Sequence, residues 1–330
     1  MKSVFLYNSE HRGYKGHPVH EEWAKNINAI FINDRDKLQI PNISRPIKSF
    51  FTAKKIPNDV DLVLCEGASQ IFSGAIWKVK NKNKKLALIV SDPKWFYLKT
   101  MNPKLKNIYM NALSKYDLFI PTSPLMNSLI PKELPGRRSI VFPFADPRFF
   151  KYKADLNSKN IVFTGRIGLE KGTDILLEAH LKIIQDFPES RLYVLGFGKL
   201  KDKLENKKIK NVIFPGWIDN PEKYLEKSSI YMSLARIDPA GVAVLEAMSS
   251  GLVPIVSRGV GNSYIVEKIN KNLVVSDQSE VQKIIKKLWT DKKFLKNASQ
   301  KSIIIAKQYN KEKSINLFKK TIYKFIEKDL

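Results

Sequence analysis

The chain is nearly free of cysteine: Cys65 is the only one in 330 residues. That excludes a disulfide framework and a cysteine-based zinc site. Histidine is scarce too. His11, His17 and His20 crowd the start and His180 stands alone, so no metal set is expected. No apolar run approaches the roughly 18 residues of a membrane span. The stretch Val4–Tyr7, behind Met1-Lys2-Ser3, is too short for a secretion signal. The expectation is a soluble, cytoplasmic protein. Acidic residues are also in short supply, 32 against 57 basic ones, for a net charge of +25. The excess is spread, +12 through residue 150 and +13 after it, so there is no basic arm. Zinc-finger spacing and aromatic RNP-type strands are absent, which argues against a nucleic-acid partner. Two accounts of the charge stand at this stage: solvated lysines, or attraction to polyanionic ligands and the anionic inner face of a membrane. Hydrophobic residues, at 43%, are enough for real cores and exclude disorder as the dominant state.

What is present is an alternation. Short, mostly continuous apolar runs recur at Val4–Tyr7, Ala29–Ile32, Asp61–Cys65, Leu86–Ser91, Leu118–Pro121 and Ile140–Pro143. A second set follows at Ile161–Thr164, Arg191–Leu195, Val212–Phe214, Ile230–Leu234, Val253–Val256 and Leu273–Val275. Runs of this kind suit strands covered on both faces, and helical segments such as Ile175–Asp186 separate most of them. Two sets of six predict an α/β protein with two doubly wound, Rossmann-like domains, as expected for about two domains' worth of chain. The linker reading falls on 144–158, which holds Pro147 and mixed charge. The domains are expected at 1–146 and 147–310. A closing helix over 311–330, with Ile315, Phe318, Ile322 and Phe325 on one face, is expected to pack back across them.

The second domain carries the informative motifs. After the strand ending at Thr164, Gly165 allows a tight exit, and Arg166 and Lys171 flank a loop before a helix opens near Thr173. Ligands of such sheets sit beyond the carboxyl ends of the strands, so these cations either grip a diphosphate or are two surface charges. A later segment, YMSLARIDPAGVAVLEAMSSG over 231–251, reads as strand, loop and helix. Gly241 would let a ligand reach the helix N-terminus, where unpaired N–H groups attract phosphate. Asp238 and Glu246 flank that start. Ionised carboxylates accept hydrogen bonds from sugar hydroxyls, although Asp238 also suits a cap or turn and Glu246 a solvated helix position.

In this order the residues resemble the retaining GT-B glycosyltransferases of family 4. The resemblance rests on Gly165-Arg166, Glu170-Lys171-Gly172, the VIFPGW stretch over 212–217, and Asp238-x7-Glu246 continuing through Ala247, Met248, Gly251 and Pro254. It covers roughly residues 140–280 well and the first domain only in outline. It implies two domains facing a cleft, a nucleoside-diphosphate sugar as donor, and a glycan, lipid-linked or small-molecule acceptor. It implies no cofactor and no metal, and no Asp-x-Asp clamp is present. Carried over residue by residue, Arg166 and Lys171 would bind the diphosphate and Glu246 the ribose. Asp238 would hold the donor sugar, Gly241, Val242 and Ala243 would offer backbone amides, and Trp217-Ile218 would meet the base. Asp238 departs from the family's usual Glu and is one methylene shorter.

In the first domain, the loop after the first strand contains Arg12, Gly13, Lys15 and Gly16. Gly13 and Gly16 could let backbone approach donor phosphates, and Arg12 and Lys15 could contact an anionic acceptor; a flexible polar loop is the plain alternative. Many relatives place a histidine where this chain has Ser91, so Asp92 becomes the candidate polar group near the reacting carbon, with Glu66 as an acceptor contact. Two other classes share some of these features. A nicotinamide-dependent oxidoreductase needs Gly-x-Gly-x-x-Gly, and Gly196-x-Gly198 is followed by Lys201. A non-catalytic nucleotide-sugar-binding relative is hinted at by Asp238 and Ser91.

Overall fold

The computed structural model describes residues 1–8, 10–11, 14–15, 17–33, 45–68 and 70–327. The chain divides into two compact units, Met1–Phe142 together with Glu312–Leu330, and Pro143–Lys311. Its strands in chain order are β1 Ser3–Tyr7, β2 Glu10–His11, β3 Tyr14–Lys15, β4 Ile30–Asn33, β5 Leu62–Glu66, β6 Lys85–Val90, β7 Leu118–Pro121 and β8 Arg137–Arg138. The second unit holds β9 Ile161–Thr164, β10 Leu192–Leu195, β11 Val212–Gly216, β12 Ile230–Ser233, β13 Val253–Ser257 and β14 Val274–Val275.

Each unit has one six-stranded parallel sheet. The apolar runs are central because both faces are covered: β1, β7, β10 and β12 are buried at every position. The first sheet runs β4-β1-β5-β6-β7-β8 and the second β11-β10-β9-β12-β13-β14. Counting each sheet's own strands, these orders are 2-1-3-4-5-6 and 3-2-1-4-5-6. The direction of winding therefore reverses between β1 and β5 in one unit and between β9 and β12 in the other, and such reversals are where ligand crevices open.

Two expectations change. The run Ile140–Pro143 is not a strand; the sixth strand is the charged pair Arg137–Arg138, because edge pairing is set by ladder hydrogen bonds and does not require apolar side chains. The loop after β1 holds the antiparallel hairpin β2-β3, with Glu10 opposite Lys15 and His11 opposite Tyr14. After β6 comes a stretch mixing aromatics and lysines, 94–116. It breaks into Lys94–Tyr97 and Pro103–Leu113, the second opened by Asn102 and Pro103.

The closing helix Lys311–Glu327 buries the stripe Ile315, Phe318, Ile322 and Phe325. It belongs to the first unit: Phe318 stacks on Trp23 at 5.2 Å with an 11° interplanar angle, and Trp23 Nε1 donates to Ser314 Oγ at 3.0 Å. Such a buried aromatic pair adds about 1 kcal/mol beyond its area. Among the described residues no helix is long and apolar enough to cross a membrane.

Candidate functional site at the strand ends of the second unit

The loop leaving β9 is locked to the loop leaving β10. Gly165 N–H donates to Leu195 O at 3.0 Å and Ile167 N–H to Phe197 O at 2.8 Å. Lys171 follows, and Gly172 opens the helix Thr173–Asp186 with φ +63°. A Cβ at Gly172 would lie 1.9 Å from Leu234 O, so only glycine lets the segment after β12 pass this closely. That segment is tied down by Ile237 N–H donating to Glu170 O at 3.0 Å. The Arg236 guanidinium adds two bonds to Asp174, at 2.7 and 2.8 Å, and one to Leu169 O at 2.9 Å.

The result is a meeting of residues far apart in sequence. Lys171 Nζ lies 2.7 Å from Asp238 Oδ1, with the two side chains 22% and 15% exposed. The same Oδ1 accepts from Gly241 N–H at 3.2 Å. The Asp238 backbone is fixed as well, its N–H donating to Gly259 O at 2.8 Å and its carbonyl accepting from Gly261 N–H at 2.7 Å. Gly241 has φ +64° and precedes the helix Val242–Ser249. Its carbonyl accepts from Asn262 Nδ2 at 3.0 Å.

Within Val242–Ser249 only Val242, Ala243 and Glu246 are half-buried, and the rest are buried. Positions i, i+1 and i+4 share one face, so the helix start and its carboxylate open on the same side. Tyr231 links this face to β9: its buried hydroxyl donates to Thr164 O at 3.4 Å. Burial raises its pKa and the charge of Asp238, then that of Glu246, adds to the rise. Both carboxylates therefore act on one phenol. Burial also pushes the Glu246 carboxyl up to about 7; Arg148 opposes this, while Asp146 and Glu222 add to it. The site offers a cation, amides at a helix start and two acids, a set suited to a phosphorylated, hydroxyl-rich ligand.

The remaining candidates are less convergent. Arg166 is 70% exposed, and Glu170 is its ion-pair partner at 3.9 Å; it does not join the Lys171–Asp238 pair. Ile218 follows Trp217, whose ring is 45% exposed and sits 5.3 Å from that of Phe197. In the first unit, Glu66 Oε1 accepts from His17 N–H and bonds to His20 Nδ1, both at 2.7 Å. Asp92 Oδ1 accepts from Lys94 N–H at 2.8 Å, a capping role, while its Oδ2 would lie 3.8 Å from a Cβ on Gly67. Lys15 lies in β3. Arg12, Gly13 and Gly16 lie outside the described residues. Sequence reasoning missed Tyr231, Asn262, Arg148 and Glu222. A buried tyrosine inside a strand that feeds the site, as Tyr231 is, was the one available signal.

Residues 158–291 match the family Glycosyl transferases group 1. A poly(glycerol-phosphate) alpha-glucosyltransferase of Bacillus subtilis is 26% identical over 136 residues, 36% of this chain and 19% of that protein. An uncharacterized glycosyltransferase of Haemophilus influenzae is 28% identical over 176 residues, 50% of this chain and 49% of that protein. The chain thus spans half or less of the length of these curated relatives. The Anabaena protein HepE, solved in complex with UDP and glucose, superposes with a TM-score of 0.78 at 14% identity, covering 98% of this chain and all of that one. Residues 158–291 thus match the group 1 glycosyl transferases, and the chain carries them in a GT-B fold.

Proposed function

We propose that the protein transfers a sugar from a nucleoside-diphosphate sugar to an acceptor hydroxyl with retention of anomeric configuration and without a metal. The observation that carries this reading is the convergence of Lys171, Asp238 and the Gly241 amide at a helix start whose open face also bears Glu246. The donor diphosphate would take the place of the Asp238 carboxylate against Lys171 and the amides of Gly241, Val242 and Ala243, with Arg166 reaching in from solvent. Glu246 would accept from the ribose hydroxyls. Asp238, released from Lys171, would hold a donor-sugar hydroxyl. The base would lie by Trp217 and Ile218. In the first unit, Asp92 is the proposed polar group near the reacting carbon and Glu66 a proposed acceptor contact.

In the reaction the bond from the anomeric carbon to the phosphate oxygen breaks. The acceptor oxygen bonds on the same face, and its proton passes to the leaving phosphate. The protein's contribution is preorganised positive charge where the leaving diphosphate develops negative charge. A UDP-sugar is the first donor to try, because the similarly folded HepE was solved with UDP and glucose. Lys171→Ala should lower turnover by about 100-fold or more with an unchanged circular-dichroism spectrum. Turnover like that of the native protein would refute the assignment.

A further inference from the structure

The charges acting on Glu246 come from outside its own helix. Asp146 and Arg148 sit at the start of the 3-10 helix Pro147–Lys151. That segment is pinned to the far end of Glu246's helix, since Ser250 Oγ donates to Phe149 O at 2.9 Å and Ala154 N–H to Ser250 O at 2.8 Å. Glu222 opens the short helix after β11. Arg148 Nε lies 3.5 Å from Asp146 Oδ2 and 3.4 Å from Glu222 Oε1. Glu222 is 7% exposed at its side chain, and its Oε2 is buried with no hydrogen-bond partner among the described residues. One guanidinium, on a segment fastened to Glu246's helix, thus pairs with two carboxylates. The other group sharing Glu246's field is the Tyr231 phenol.

We infer that Arg148, braced by Asp146 and Glu222, is a positioning residue for Glu246, and that this trio sets how tightly the ribose end of a nucleotide is held. The inference rests on the donor reading above. Its physical content is a balance. Glu246 must be ionised to accept two hydroxyl hydrogen bonds, burial disfavours that form, and Arg148 is the only one of the three outside charges that favours it. With the carboxyl near 7, the balance falls where small changes of charge alter occupancy.

The test is calorimetric titration of the full chain with UDP and with 2′,3′-dideoxy-UDP between about pH 5.5 and 8.5. The difference between the two ligands isolates the ribose hydroxyls from titration of the phosphates. In the native protein the preference for UDP should grow as pH rises through about 7. Arg148→Gln should move that midpoint to higher pH and cut the preference at neutral pH by up to about tenfold, one pKa unit's worth. Glu222→Gln should move it to lower pH, and Arg148→Lys should retain the native midpoint. Opposite shifts with lysine rescue support the trio. Midpoints that stay fixed, or move together, overturn it while leaving the donor reading intact. Failure of the native protein to bind UDP, GDP or ADP overturns both.

Discussion

The two sheets use the same ingredients and reverse their winding at different places. In the second unit the reversal lies between β9 and β12, and the loops leaving those strands meet through backbone, with Gly172 pressed against Leu234 O. In the first unit the reversal lies between β1 and β5, and the meeting there runs through one side chain: the Glu66 carboxylate at the end of β5 accepts from the His17 backbone N–H and bonds to His20 Nδ1. A Cβ on Gly67, the glycine beside that site, would meet nothing nearer than Asp92 Oδ2 at 3.8 Å. A backbone-built crevice suits phosphate, which is held by amides and cations of fixed position. A side-chain-built one suits a ligand that differs from one enzyme to another, since side chains can change without moving the chain.

The largest effect that would break this comparison is on stability. Gly172→Ala places a methyl inside van der Waals contact with a carbonyl at a positive φ and should destabilise by about 3 kcal/mol or more. Gly67→Ala, with φ +68° but only ordinary van der Waals contact for the methyl, should cost only about 1–2 kcal/mol. Equal losses in urea unfolding would show that the two loops are not built differently.

Next in size is a pH effect confined to the second unit. His180 is fully buried, both its ring nitrogens lack partners among the described residues, and burial lowers its pKa from 6.5 to about 4. The unfolded chain therefore takes up a proton before the folded one does, and stability is lost as pH falls from 6.5 toward 4, by roughly 3 kcal/mol at most. His180→Leu should flatten that part of the stability profile; an unchanged slope would contradict it.

The smallest effect sharpens the functional side. Glu66→Gln should weaken its bonds to His17 and His20 and cost about 1 kcal/mol, leave UDP affinity unchanged, and lower acceptor-dependent turnover. A loss of UDP affinity in this variant would show that the first unit's crevice holds the nucleotide after all.

Much of the second unit was legible in sequence because its site is built from local motifs. Lys171 and Gly172, or Asp238, Gly241 and Glu246, each stand within one strand-loop-helix passage, so spacing alone placed them at a helix start. The strands were legible because continuous apolar runs mark burial on both faces. The strand orders were not, since pairing between distant segments leaves no local trace, and the edge strand Arg137–Arg138 was missed because it is charged. Arg148 and Glu222 were invisible for a related reason: neither stands in a motif, and only packing brings them together. Arg166 shows the converse, a motif residue whose side chain remains in solvent beside Glu170.

The central claim is that the Lys171–Asp238 pair and the Gly241 amide mark a diphosphate site. A crystal structure with bound UDP tests it most directly. The account predicts Lys171 Nζ turned from Asp238 onto a phosphate oxygen, with the second phosphate against the amides of Val242 and Ala243. A diphosphate bound elsewhere, with Lys171 still 2.7 Å from Asp238, would contradict it.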